Sequence, residues 1–241
     1  MSVIDNGEWK WPPVRTIQLM ELQSSIPAML RPSWDEDSVS WSLAGDGKYS
    51  IKSVWNEWRN HKPKVYWSKL IWFHAHIPRV SMIVWLAIWN RLNTKEKLVK
   101  LGIMSDDKCA FCKSETETHD HLFFDCPFSD RVWRAIKNKC SVNWGDRTWN
   151  EWILFCSNEL KGKSLGCYTR KLAFTVTVNS IWRERNNRIF SKEFKPEEVV
   201  INDITNLVRG RLMSLRNLKK CNDDNWFLRT WNISEAVIKP T

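Results

Sequence analysis

The chain has 241 residues, seventeen of them tryptophan and three tyrosine, and 37 Lys and Arg against 27 Asp and Glu give it a formal net charge of +10. A content of 43% hydrophobic and 12% aromatic residues, with 8 Gly and 9 Pro, excludes disordered, collagen-like and linker-like chains, and the length suffices to bury a real core. The longest apolar run, residues 82–89, falls far short of the ~20 residues of a membrane-spanning helix, and the first residues have neither the basic start nor the apolar stretch of a signal peptide.

In chain order, residues 14–25 suit a short helix. Val39, Trp41 and Leu43 alternate with polar residues, Gly45-Asp46-Gly47 signals a turn, and Tyr49 and Ile51 resume the alternation, so residues 39–51 are expected to form a β-hairpin. Ser53 can cap a helix over 54–59. Trp67, Leu70, Ile71 and Trp72 share a helix face. Residues 79–90 carry apolar side chains all round, which predicts a helix at the centre of a domain. Thr94 and Gly102 fit the start and end of a helix over 95–101. Trp149, Trp152, Ile153 and Cys156 make another face. Residues 168–190 and the stripe Val200, Ile204, Leu207, Val208, Leu212, Leu215 and Leu218, after Pro196, read as long amphipathic helices with basic outer faces.

The charge is uneven. Residues 1–66 are neutral, 67–108 carry +4, 109–158 carry −1, 159–221 carry +8 and 222–241 carry −1. Two basic blocks suggest a polyanionic partner such as nucleic acid; a set of solvated helix faces is the bland alternative.

The strongest chemical signal is Cys109-Ala110-Phe111-Cys112, with His121 and Cys126 following. Two thiols separated by two residues can hold one metal ion through a tight turn. A histidine and a third cysteine complete the soft tetrahedral set that Zn2+ prefers. Four protein ligands leave no position for water, so the site would hold the fold rather than activate a nucleophile. Pro127 makes Cys126 a natural cap for a helix over 128–139. His119 is a rival to His121, and spacing alone leaves that choice open. Cys140, Cys156, Cys167 and Cys221 lack partners at metal spacing and read as small buried hydrophobes. His61, His74 and His76 are isolated and are assigned no role.

With these residues in view, a resemblance emerges. The cysteine pair followed by Glu117-Thr118-His119-Asp120-His121-Leu122-Phe123-Phe124-Asp125-Cys126-Pro127-Phe128 resembles the reverse-transcriptase zinc-binding domain of plant LINE-type (non-LTR) retrotransposon proteins. Upstream, Trp41, the run Gly47-Lys48-Tyr49-Ser50-Ile51-Lys52-Ser53-Val54, Trp67, Ile71-Trp72, Ile77-Pro78, Trp85-Leu86-Ala87 and Arg91-Leu92-Asn93-Thr94 resemble that family's flanking motifs. Downstream, the run from Ile181-Trp182-Arg183 through Asn186-Asn187-Arg188-Ile189-Phe190 resembles a common tail. The likeness is good over about residues 39–135 and loose elsewhere. It places the family histidine on His121, so it implies Cys109, Cys112, His121 and Cys126 as the Zn2+ ligands.

The fold expected from all this is mainly α with a small N-terminal β-hairpin, a zinc-stabilised helical domain followed by long amphipathic helices. The expected parts are an irregular segment 1–38, a zinc-binding domain 39–140, a basic helical region 141–221 and a tail 222–241. The resemblance implies a detached C-terminal retroelement fragment that helps grip RNA or DNA. The paired aspartates of a polymerase palm, the spaced carboxylates of ribonuclease H, the His-x-Glu of a zinc deaminase and the His-Glu-x-x-His of zinc hydrolases do not stand in the required contexts, so no enzyme is expected. Arg183, Arg185, Arg188, Arg209, Arg211 and Lys219 are the expected phosphate contacts, with weak sequence specificity and a steep salt dependence. Most tryptophans are expected to be core. The alternatives are a protein-interaction module, with helix-mediated self-association through 196–220, or a non-functional remnant. No membrane association is expected, and the expected location is the nucleus or cytoplasm, with reduced thiols.

Overall fold

The computed structural model describes residues 4–5, 8–11, 13, 16–25, 39–60, 62–141, 148–216, 218 and 224–238. The chain divides into two compact units, 1–63 and 64–241.

In the first unit, β1 (Ile4–Asp5) pairs antiparallel with β2 (Glu8–Trp9) over two residues each, and α1 spans Ile17–Ser25. The hairpin expected at 39–51 does not form, and the fold is mainly helical. Residues 41–47 instead make turns in which the Trp41 amide donates to the Gly47 carbonyl (2.7 Å) and the Gly47 amide to the Ala44 carbonyl (3.0 Å). The reason is local. Ser50 accepts from the Ser53 amide (3.1 Å) and so caps α2 (Ile51–Trp58), which takes Ile51 out of the apolar alternation. Ser53, expected to be the cap, lies inside the helix and its hydroxyl accepts from Trp41 Nε1 (2.8 Å).

The second unit holds α3 (Ser68–Ile71), α4 (Pro78–Ile88), α5 (Lys95–Lys100), α6 (Pro127–Cys140), α7 (Trp149–Glu159), α8 (Leu165–Asn186), α9 (Glu197–Met213) and α10 (Asp224–Thr230). Thr94 holds the N-cap position of α5 in an extended conformation, though its hydroxyl makes no capping bond, and Gly102, with φ +70°, follows the end of α5 in a left-handed conformation that glycine adopts without penalty. Thr148 and Glu151 form a reciprocal capping box on α7.

The helix at the centre is α8, not α4. Eighteen of the 22 residues of α8 are buried, and it packs against α3, α4, α6, α9 and α10. Three of its threonine hydroxyls are satisfied within the helix: those of Thr169, Thr175 and Thr177 donate to carbonyls one turn back at 2.8, 2.9 and 2.7 Å. Lys171 lays its ammonium over the Phe73 ring at 5.4 Å, and burial lowers its pKa. Val200, Ile204, Val208 and Leu212 of α9 fall on one stripe and are buried, and α9 packs on α6 and α8. By contrast, α4 buries Val80, Val84 and Ala87 but leaves Met82 and the following Trp89 exposed. Trp133, Trp149, Trp152 and Phe174 make a continuous aromatic core, fixed where Trp133 Nε1 donates to the Phe123 carbonyl (2.7 Å). Among the described residues, no helix is long and apolar enough to cross a membrane.

Candidate metal centre

The turn carrying Cys109 and Cys112 is closed by backbone bonds on both sides. The Cys109 amide donates to Glu115 O (2.8 Å), the Lys113 amide to Cys109 O (3.0 Å) and the Glu117 amide to Asp107 O (2.8 Å). Lys113 takes the left-handed conformation (φ 63°) that reverses the chain. The Phe111 amide points at Cys109 Sγ (3.4 Å). After the turn, Thr118 Oγ1 accepts from the His121 amide (3.1 Å), and residues His121–Asp125 form one π-helical turn closed from Cys126 N to His121 O (2.8 Å). That wider turn delivers Cys126 as the N-cap of α6, with Pro127 in the first helical position.

The ligand atoms of Cys109, Cys112, His121 and Cys126 all lie within 4.8 Å of one another. Cys109 Sγ and Cys126 Sγ are 3.9 Å apart, and Cys112 Sγ is 3.3 Å from His121 Nε2. A tetrahedral zinc ion with ordinary bond lengths separates two sulfurs by about 3.8 Å and a sulfur from a nitrogen by about 3.5 Å. The donor set therefore fits Zn2+ in both chemistry and spacing. Electrostatics agree. The Cys109 thiol and the amides of Phe128 and Ser129, at the start of α6, hold Cys126 below the usual thiol range, while its role as donor raises Cys109. Burial opposes ionisation of Cys112, but the Glu115 and Ser114 hydrogen bonds and His121 outweigh it and lower its pKa. Burial likewise opposes protonation of His121, and the neighbouring Cys112 and Cys109 sulfurs reverse the balance and raise it. Cys112 and Cys126 are thus the thiols most readily deprotonated for a cation.

His119 faces elsewhere. It is buried between Phe123 and Trp149, with ring centroids at 4.9 and 4.5 Å, and burial, helped by the Lys97 charge, pushes its pKa down to about 4. Cys140, Cys156 and Cys167 are buried apart from the cluster, and burial pushes the Cys140 thiol up to about 12. Cys221 lies outside the described residues.

Sequence reasoning missed Glu117. It sits between the ligand pairs with no exposure, and its carboxylate accepts from the Lys95 amide (2.9 Å), the Ala110 amide (3.0 Å) and the Arg185 guanidinium (2.9 and 2.7 Å). It thereby ties the cysteine turn to the starts of α5 and the end of α8. Glu115 and Asp120 stand close by in the same polar stretch, so nothing in the sequence set Glu117 apart from its acidic neighbours.

The same geometry redefines the expected phosphate contacts. Arg185 is buried in that ion pair and also donates to the Asn93 carbonyl (3.1 Å). Arg188 donates to Glu184 (2.8 Å) and lies over the Phe111 and Phe128 rings at 4.8 and 4.5 Å. Arg209 donates to Asn232 O (2.7 Å), and Arg211 spans back to Ala75 O (2.9 Å). Arg183 is exposed on α8, while Lys219 lies outside the described residues.

Residues 49–133 match the family model described as zinc-binding in reverse transcriptase. All four candidate ligands and Glu117 fall inside that match, and Arg185 falls outside it. A protein of Arabidopsis thaliana named "Putative ribonuclease H protein" is 22% identical over 166 residues, covering 66% of this chain. The chain spans about a quarter (26%) of that relative's length. No solved structure matches.

Proposed function

We propose that the chain is a zinc-stabilised nucleic-acid-binding module of the kind carried by LINE-type retrotransposon reverse transcriptases, without polymerase chemistry of its own. The observation that carries this is the closed Cys3His set at tetrahedral spacing within the matched segment. Cys109, Cys112, His121 and Cys126 would hold Zn2+, whose contribution is to fix the turn and the start of α6; four protein ligands leave it no site for substrate. The net charge of +10 supports a polyanionic partner, RNA or DNA, bound chiefly through phosphates and with little sequence preference. Because Arg185, Arg188, Arg209 and Arg211 serve internal contacts, the phosphate contacts fall to exposed cations such as Lys161, Lys163, Arg183 and Lys192. Val200, Ile204, Val208 and Leu212 of the α9 stripe are buried within the chain and leave Leu207 exposed, which favours this reading over helix-mediated self-association. The proposed location is the nucleus or cytoplasm, where thiols such as these stay reduced.

The test is a filter-binding titration of the zinc-loaded protein with RNA and DNA over a range of salt, beside a primer-extension assay. Binding at low salt that weakens steeply with added salt, and no synthesis, is expected. No binding at low salt, or metal-dependent synthesis, would overturn the proposal.

A further inference from the structure

Four of the seventeen tryptophans, Trp67, Trp72, Trp85 and Trp89, lie near one another in the second unit away from the metal ligands, and Trp72 and Trp89 are exposed. Trp67 is buried at the base, with Trp72 at 5.7 Å and Trp89 at 6.0 Å between ring centroids. Trp72 and Trp89 are 47% and 50% exposed. The Arg91 guanidinium sits 5.9 Å from both the Trp85 and the Trp89 rings. Met82, 55% exposed, lies one turn before Trp85 and two before Trp89, so Arg79, Met82, Trp85 and Trp89 follow one outer stripe of α4.

Two features name the partner. First, the sequence from residue 58 to residue 95 contains no Asp or Glu, while Lys64, Lys69, Arg79 and Arg91 are exposed there. Second, a groove of about 330 Å3 is lined by Lys64, Tyr66, Lys69, Asn158 and Lys161 beside α3, with no acidic lining residue; Trp67 and Trp72 flank α3. An apolar protein partner would not require that charge bias, and a duplex hides its bases from an aromatic surface. Exposed indoles among cations, on a stretch of chain that carries no carboxylate, suit unstacked bases joined by phosphates.

We infer that the Trp72–Trp89–Arg91 surface is a stacking platform for single-stranded nucleic acid, with the Lys64–Lys69–Lys161 groove carrying the adjoining backbone. This rests on the nucleic-acid reading above and adds to it the strand state and the surface.

The experiment uses the full zinc-loaded chain and fluorescence anisotropy with a labelled oligothymidylate, a labelled single-stranded RNA and a labelled hairpin duplex. Trp89→Ala and Trp72→Ala are each expected to weaken single-strand binding about 10-fold with little change for the duplex, at the scale of one lost base stack. Trp89→Tyr should recover most of the loss, because a smaller ring still stacks; this separates stacking from damage to the fold. Wild-type protein that binds while both alanine variants bind single strands equally well would overturn the platform and leave the proposed function standing. Wild-type protein that binds no oligonucleotide at low salt would overturn both. If sedimentation shows a wild-type dimer that the alanine variants dissociate, with nucleic-acid affinity unchanged, the surface belongs to a second copy and the platform is refuted.

Discussion

Replacing Arg185 with leucine would test whether the buried carboxylate really joins the cysteine turn to α8. Arg185 and Glu117 have side chains 2% and 0% exposed, so water cannot take the place of a lost partner. In Arg185→Leu, Glu117 keeps the Lys95 and Ala110 amides but loses the guanidinium bonds at 2.9 and 2.7 Å. Stranding one member of a buried pair costs about 3–5 kcal/mol. For a unit of this size that lowers the melting temperature by roughly 6–20 °C. Glu117→Leu should cost at least as much, because it deprives two backbone amides at about 1–3 kcal/mol each and strands the arginine as well. The double variant removes both charges and leaves mainly the two orphaned amides, so its cost should be well below the sum of the single ones. Urea unfolding followed by circular dichroism, at saturating zinc and with metal content checked, reads all three. A loss under about 1 kcal/mol in Arg185→Leu, or strict additivity in the double variant, would refute the reasoning.

The other predictions follow from the same structure. One zinc per chain should be found by elemental analysis, lost in Cys112→Ser and His121→Ala and retained in His119→Ala, which should instead destabilise the aromatic core between Phe123 and Trp149. Zinc occupancy should fall as pH falls, because protons compete for the thiolates and the imidazole; a competition titration with a chromophoric chelator measures this, and rising occupancy on acidification would contradict it. Gly166→Ala places a Cβ 2.7 Å from Phe227 Cε2, so thermal unfolding should show a loss of about 1–3 kcal/mol unless α10 yields. Trp133→Phe removes the donor to the Phe123 carbonyl and should cost about 1–3 kcal/mol in the same assay.

What the sequence disclosed was what is local. The spacing of Cys109, Cys112, His121 and Cys126 is a short-range constraint, and the turn and π-helical turn that gather them lie within those eighteen residues. Thr94, Gly102 and Pro127 announced helix ends through their own backbone preferences. The failures came where a distant partner decided. Arg185 has the composition of a phosphate contact and becomes a core residue only because Glu117 waits 68 positions away. In α8, Thr169, Lys171 and Thr175 mimic an outer face until their internal partners are known. In α4 the apolar surround suggested a central helix, yet Met82 and Trp89 face outward. At residues 39–51 the alternation was genuine, but a strand needs a ladder partner and Ser50 offers a helix cap at once.

The central position of α8 also orders events during synthesis. The residues that gather the metal precede it, and Arg185 follows Glu117 by 68 residues. At a translation rate of about 5–20 residues per second, roughly 3–14 s separate the two at the ribosome. During that interval the thiols can take up zinc while α4 and α6 have no central helix to cover them. The faces that α8 later covers, Val80, Val84 and Ala87 of α4 and Val132, Trp133 and Ile136 of α6, stay open to water or to chaperones for that interval.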